Sequence, residues 1–550
     1  MGHAETLDIA VIGAGGAGLT AAIEARRADR TTALFEASSF IGGTFAYSTG
    51  LIWAPATSRA LAQGFPDTPE EGAAHIDHLS AGRNDPALTR AFAERVGPAL
   101  DYLADECGVP YEVVRTYPDY YAEAPSGRME GRYLASPVFD TKTLPDEWAD
   151  RLVRSPIYDR MPTSWPEVQS WGGFGTIARW DHDLLARRRA EGWVGFGTAT
   201  VGWLLSSALS TGVDIRLESP LTGLRRQGDE WELTIGRGAD ATPVLARSVV
   251  LATGAYDWNP RMQSWFDPYP PAAPAGMPSV DGEAILLALE AGASFSSLSG
   301  QILVPALSIP GETFNGQPLR RLFVREPAFP GSLVVNAEGR RFADESFYRD
   351  LVSGINHLDA KTQQYVNHRA WFVFDQAWKD KYWLGSVAPG VVPDWLVSAD
   401  SAVELAQTLG VDEDRFAQTL TRYNEHARTG EDPDFARGST AYGRNNGDRD
   451  VEPNPCLRPL EGRLYAIPLE LTTVGGRGGL RFDENARVLD WRDRPIPGLY
   501  AAGNAGAALI EGYWYNSGIA NARAFTFGLA AARHAASVLE RERTRDSVDA

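Results

Sequence analysis

The sequence predicts an α/β fold: a Rossmann-like dinucleotide-binding domain that carries an inserted α+β domain. Three observations predict it. The run Val11-Ile12-Gly13-Ala14-Gly15-Gly16-Ala17-Gly18 sets G-x-G-x-x-G between an apolar strand and a helix, and Glu36 follows 18 positions after Gly18. Two later apolar strands also end in glycine turns, Val249-Val250-Leu251-Ala252-Thr253-Gly254 and Leu499-Tyr500-Ala501-Ala502-Gly503-Asn504. Between them, from about 280 to 450, the pattern changes to proline-broken aromatic strands and polar helices.

The first motif has a mechanism. Gly13 permits a tight turn out of the strand, Gly15 lets backbone approach a pyrophosphate, and Gly18 lets the next helix pack closely. The N-terminus of that helix, around Gly16 and Ala17, offers unpaired N–H groups to phosphate. Glu36 ends the strand Thr32-Ala33-Leu34-Phe35, where its carboxylate can accept from a ribose hydroxyl, with Ala37 and Ser38 beside it. Ile41-Gly42-Gly43-Thr44 follows closely. Three glycine-bearing strand ends far apart in the chain suit a long cofactor wrapped by distant segments. A plain NAD domain finishes its site within one block, so FAD is expected.

The chain of 550 residues is too long for one core, and two domains are expected: 1–280 with 451–550, and 281–450. Apolar content of 44% and charged content of 22% are those of a soluble globular protein. A net charge of −19 argues against nucleic acid and anionic membrane surfaces as partners. With two cysteines and no C-x-x-C, a disulfide framework, zinc site or dithiol motif is not expected. No apolar run reaches membrane-spanning length and no signal segment opens the chain, so cytoplasmic residence is expected. The eight histidines do not cluster; His75 and His78 read as surface residues, and no metal is expected.

In order along the chain, residues 1 to about 60 read as the first βαβ unit and a cofactor-proximal loop. Residues 60–155 read as helical and loop-rich, with a Pro/Tyr/Gly-rich stretch at 116–133. Asp181 to Ala190 reads as a charged helix and Thr198 to Leu209 as an apolar one, followed by a strand at Val213–Leu217. Strands Trp231–Ile235 and Val244–Ala252 return to the cofactor. A helix opens at Asp281-Gly282-Glu283, and further helices cover 401–409 and 413–427. A polar loop spans 430–455, strands follow from 456, and an Ala-rich helix of about 518–541 ends the pattern.

Longer strings resemble the FAD-dependent family of fumarate reductase flavoproteins and 3-ketosteroid Δ1-dehydrogenases, most of all its ketosteroid branch. They are Gly42-Gly43-Thr44-Phe45-Ala46-Tyr47-Ser48-Thr49-Gly50-Leu51-Ile52-Trp53-Ala54-Pro55, Tyr117-Pro118-Asp119-Tyr120-Tyr121-Ala122-Glu123-Ala124-Pro125-Ser126-Gly127, Tyr423-Asn424, and Asp432-Pro433-Asp434-Phe435-Ala436-Arg437-Gly438. The resemblance implies an FAD-binding domain of the GR2 type with a substrate-capping insertion. It also implies C–C to C=C interconversion beside a carbonyl. Gly42, Gly43, Thr44, Ser48, Thr49, Gly50, Ala252, Thr253, Gly254, Gly503, Asn504, Gly518 and Ile519 join the first motif as expected FAD contacts. The loop after Gly43 has no histidine, so attachment is expected to be non-covalent.

The family's chemistry needs a tyrosine pair at the α-proton and a tyrosine with a glycine N–H at the ketone. Tyr120 matches the first tyrosine, with Tyr117 and Tyr121 as neighbours in register. In Arg341-Phe342-Ala343-Asp344-Glu345-Ser346-Phe347-Tyr348-Arg349-Asp350 the family's tyrosine position, four after the Glu, is Arg349, and Tyr348 precedes it. Fumarate reductases place a proton-transferring arginine at this spacing. Arg349 can equally pair with Asp350 or Glu345. In Gly512-Tyr513-Trp514-Tyr515-Asn516-Ser517-Gly518, Gly518 falls on the carbonyl-polarising glycine and Trp514 on the tyrosine, with Tyr513 and Tyr515 on either side. Fumarate reductases carry a carboxylate-clamping arginine where Trp514 stands and a histidine where Thr472 stands. Their loss argues against a small dicarboxylate. Tyr120, Tyr348, Arg349, Tyr513, Tyr515 and Gly518 are the candidate catalytic residues. Tyr47, Tyr117, Tyr121 and Trp514 are candidates for the pocket wall, which suits a flat cyclic substrate.

The expected function is FAD-dependent introduction of a C=C bond beside the carbonyl of a cyclic ketone, steroid-like or smaller. The alternatives are an ene-reductase or tailoring oxidoreductase using Arg349 as proton donor, and a non-catalytic carrier on the same fold. The electron acceptor is left open.

Overall fold

The computed structural model describes residues 5–297, 300–314, 316–509 and 516–549. Its first sheet is built around the strand Glu5–Ile12, which pairs in parallel with Thr32–Phe35 on one side and Thr242–Leu251 on the other. Asp214–Arg216 and Pro495–Ala501 extend the parallel order outward. Both faces of this sheet are covered, as parallel sheets require. Ile9, Val11, Leu34 and Val250 enter one core, while Ala10, Ile12, Ala33, Phe35, Val249 and Leu251 enter the other. An antiparallel pair, Leu221–Gln227 and Glu230–Ile235, joins the sheet through Thr242–Leu251.

Helix Gly16–Arg27 packs between the sheet and the long helix Ile519–Asp549. A Cβ on Gly528 would stand 2.6 Å from the Ala17 carbonyl oxygen, so small residues set how closely the two helices pack. The expected helices at 181–190, 198–209, 401–409 and 413–427 form as His182–Ala190, Phe196–Ser210, Ala402–Leu409 and Glu413–Thr429. Asp181, Ser401 and Asp412 cap three of them through side-chain oxygens.

A second, antiparallel sheet runs in the order Gln317–Leu322, Gln301–Phe314, Leu464–Gly476, Ala370–Asp375, Ser332–Asn336. Its limits differ from the expected boundaries of 281 and 450. Leu464–Gly476 is an inner strand of this sheet, although it lies beyond 450. Helix Glu283–Glu290 buries Ala284, Ile285, Leu287 and Ala288 in the core of the first sheet, although it lies after 281. The polar stretch 430–455 also holds a short helix, Ala441–Asn446. His75, expected at the surface, is fully buried and stacks on Trp53 with ring centroids 6.1 Å apart; His78 is exposed. No helix among the described residues is long and apolar enough to cross a membrane.

A buried charge network fixes the loop before Tyr348. Arg341 contacts Glu345 at 2.6 Å and Asp432 at 2.8 Å, and Arg437 contacts Glu345 at 3.2 Å. Asp344, beside it, accepts from the Ser346 N–H (2.8 Å) and Oγ (2.6 Å). Burial pushes its carboxyl up to about 7, and neighbouring Glu345 adds to the shift. The folded chain therefore keeps a proton that the unfolded chain releases. This contribution is fully present below about pH 4, falls as pH rises toward about 7, and is level above that. Asp344→Asn should flatten the pH dependence of thermal stability across this window, by up to about 4 kcal/mol at its upper end. Melting temperatures at pH 4.5 and 7.5 check it; an unchanged difference between them counts against it.

Candidate active site

A cavity of about 290 Å³ starts at Glu36 and ends among Tyr120, Tyr348 and Tyr442. At its head the glycine turn is shaped by contact. Gly13 has φ +101°, and a Cβ there would lie 2.5 Å from the Ala252 carbonyl oxygen. A Cβ on Gly18 would lie 1.8 Å from the Gly13 oxygen. A Cβ on Gly15 would meet nothing closer than 3.9 Å, so Gly15 is bare on its cavity side. Glu36 accepts from the Ala14 N–H (2.8 Å) through one oxygen and from the Ser38 N–H (2.9 Å) through the other. Each oxygen keeps a second lone pair. Burial raises its pKa, and these N–H groups oppose the rise.

The cavity wall holds Gly13, Gly15, Gly16, Ala17, Glu36, Ala37, Gly43, Thr44, Tyr47, Ser48, Thr49, Ala252, Thr253, Gly254, Gly503, Asn504 and Gly518 of the expected residues. Gly18, Ser38, Gly42, Gly50 and Ile519 stand behind it. Gly42 and Gly50 have φ of +130° and +68°, and a Cβ on either would press on Val201 or on the Phe196 backbone. Thr44 Oγ1, Tyr47 OH and Thr253 Oγ1 are buried on this wall without a hydrogen-bond partner among the described residues. Buried polar groups rarely stay unpaired. A bare glycine turn at a helix N-terminus, a buried Glu36 and three unpaired hydroxyls fit a dinucleotide with a polar ring system.

At the far end, Tyr120 and Tyr348 are 5% and 4% exposed. Their hydroxyl oxygens are 3.5 Å apart and their rings meet edge to face at 5.7 Å. Tyr120 is held from two sides. Its N–H donates to Asn516 Oδ1 (2.9 Å), and the preceding Asp119 accepts from Trp53 Nε1 (2.7 Å) and Arg132 (3.0 Å). Tyr348 starts the helix Tyr348–Ile355. The Arg349 Cζ lies 4.9 Å from the Tyr348 ring centroid. Burial raises the pKa of both phenols; Arg349 pulls both back. Of the carboxylates considered for Arg349, Glu345 contacts Arg341 and Arg437, and Asp350 accepts from the Asp344 N–H (2.8 Å).

Two of the expected wall residues are not on this wall. Tyr117 packs against Tyr133 and Trp165 behind it, and Tyr121 packs against Phe347 with centroids 5.2 Å apart. Trp514, and the candidate catalytic Tyr513 and Tyr515, lie outside the described residues. The sequence reading also missed Tyr158, Arg325 and Tyr442, which line the cavity. No spacing marks them, because Tyr158 and Arg325 come from separate loops and Tyr442 from the short helix Ala441–Asn446.

The FAD binding domain family matches this chain over residues 8–520. The chain belongs to that family. Among its relatives, the 4-oxocyclohexanecarboxylate 2-dehydrogenase of Sinomonas cyclohexanicum is 34% identical over 541 residues, covering 96% of this chain and 92% of that protein. The 3-oxosteroid 1-dehydrogenase of Mycobacterium tuberculosis (strain ATCC 25618 / H37Rv) is 29% identical, covering 97% and 98%. The crystal structure of 3-ketosteroid Δ1-dehydrogenase from Sterolibacterium denitrificans in complex with 1,4-androstadiene-3,17-dione superimposes with a TM-score of 0.88. It is 28% identical, and the match covers 97% of this chain and 100% of that one. This family match supports FAD as the dinucleotide.

Proposed function

We propose that this protein is an FAD-dependent dehydrogenase that introduces a C=C bond beside the carbonyl of a cyclic ketone. The observation that carries it is the buried Tyr120–Tyr348 hydroxyl pair, 3.5 Å apart, on the wall of the cavity that begins at the FAD turn. The relatives named above act on a six-membered ring ketone and on steroid ketones, and both are cyclic.

The reaction removes a proton from the α-carbon and a hydride from the β-carbon. FAD, when bound, supplies the acceptor for that hydride. Gly13, Gly15 and Glu36 hold its adenosine diphosphate half, and Thr44, Tyr47, Ser48 and Gly518 hold the rest. The Tyr348 oxygen takes the α-proton, Tyr120 donates a hydrogen bond to the phenolate that does so, and Arg349 balances its charge. The Gly518 N–H polarises the ketone, and Tyr513 and Tyr515 are proposed to assist. Residues 301–476 cap the pocket. We also hold that FAD is non-covalent, since the loop after Gly43 lacks histidine, that residence is cytoplasmic, and that no nucleic acid is a partner.

Arg349 on the wall favours one second reading, the same scaffold run as an ene-reductase with Arg349 relaying the proton. Anaerobic titration of the FAD-loaded protein separates the two. With a saturated cyclohexanone or a 3-keto-4-ene steroid, the oxidised flavin band is expected to bleach. Failure to bleach, with prompt reoxidation of reduced protein by a cyclohexenone, supports the reductase instead.

A further inference from the structure

Most of the deeply buried arginines are matched by acids. Arg132 meets Asp67 at 2.8 Å and Asp119 at 3.0 Å, Arg341 meets Glu345 and Asp432, and Arg437 meets Glu345. Arg325 differs. It lines the cavity and makes no ion pair among the described residues. Its guanidinium carbon lies 4.4 Å from the Phe174 ring centroid and 5.3 Å from that of Trp165. The phenols of Tyr117, Tyr158, Tyr442 and Tyr120 surround the rest. The next residue, Glu326, turns its carboxylate to the Arg325 backbone N–H (3.2 Å), and burial raises its pKa.

A guanidinium partly taken out of water without a counter-charge is costly. Aromatic faces recover part of that cost, and the planar N–H edge of a guanidinium on the cavity wall can be completed by what fills the cavity. That edge matches a carboxylate, which it can bind through two parallel hydrogen bonds. The position is suitable. Tyr442, beside Arg325, has its ring centroid 4.1 Å from that of Tyr120 and 6.5 Å from that of Tyr348. Arg325 therefore shares the cavity with the proton-transfer pair, and Ile302, Val304, Leu322 and Val324 add apolar lining to it.

We propose that the cyclic ketone carries a carboxylate, and that Arg325 is the side chain that holds it. The inference rests on the dehydrogenase reading for the ketone, but not for the anion, and the test separates them. Binding to the FAD-loaded protein is measured by calorimetry with cyclohexanecarboxylate and with cyclohexanecarboxamide, neither of which can react. The wild type is expected to bind the acid at least about 10-fold more tightly than the amide. Arg325→Gln should lower that preference about 10-fold, to near parity, and Arg325→Lys should keep part of it. Equal binding of acid and amide by the wild type overturns the proposal without any variant. So does an acid preference that survives in a folded, flavin-bearing Arg325→Gln. A second arm compares flavin bleaching by 4-oxocyclohexanecarboxylate and its methyl ester. Bleaching by the acid at much lower concentration supports both readings. Equal bleaching by both removes the anchor and keeps the reaction. Bleaching by neither, with the calorimetric preference intact, removes the reaction and keeps the anchor.

Discussion

Tyr348→Phe is expected to slow flavin reduction by a cyclic ketone about 1,000-fold while FAD stays bound, because it removes the group proposed to receive the α-proton. The residues proposed to hold the flavin lie elsewhere on the cavity wall, so the absorbance spectrum should be unchanged. Tyr120→Phe should cost less, since it removes the donor to the phenolate and leaves the acceptor. The pH profile carries independent information. Burial raises both phenols, so the rate of reduction should climb as pH rises toward their ionisation. Arg349 opposes that rise, so Arg349→Gln should move the climbing limb to higher pH, a change that a packing role alone does not produce. Anaerobic stopped-flow traces of Tyr348→Phe within a few-fold of wild type place proton transfer elsewhere.

The same pair shows where the sequence could be read and where it could not. The glycine turn, Glu36 and the later strand ends were legible because each local pattern has one steric explanation. The strands of the first sheet were legible because their apolar runs mark burial on both faces. Spacing alone set Arg349 on the family's tyrosine position and Tyr348 one residue before it. One residue at the start of a helix is a turn of about 100°. It is Tyr348, at the first position of Tyr348–Ile355, that reaches the Tyr120 hydroxyl. The strand Leu464–Gly476 was assigned to the first domain because periodicity reports a strand but not its partners. Its pairing with Gln301–Phe314 and Ala370–Asp375 is set by contacts between segments about 90 to 175 residues apart. Arg325 and Tyr442 carry no local signal for the same reason; only the closed fold puts them beside Tyr120.

The glycine turn yields the last large effect, because its glycines serve different ends. At Gly18 a methyl group would overlap the Gly13 carbonyl oxygen in the folded chain, with or without cofactor. Neither partner can step aside, since Gly13 is itself pressed on the Ala252 carbonyl and helix Gly16–Arg27 is packed between the sheet and helix Ile519–Asp549. Gly18→Ala should destabilise the protein by about 3 kcal/mol, and flavin should be lost as a consequence. At Gly15 the chain has φ in the ordinary range and a methyl group would meet only the Gly42 carbonyl oxygen, at an unstrained 3.9 Å. Gly15→Ala should therefore leave the apoprotein's melting temperature within a degree or two of wild type. The same methyl group points into the path of the pyrophosphate, so FAD affinity should fall by about 100-fold or more. Melting curves of deflavinated protein, read beside FAD titrations, separate the two effects. If Gly15→Ala bound FAD as tightly as wild type, the phosphates would lie elsewhere along the cavity. If both variants melted alike, the contact at Gly18 would be relieved by a shift of the helix that the packing of Gly528 on Ala17 argues against.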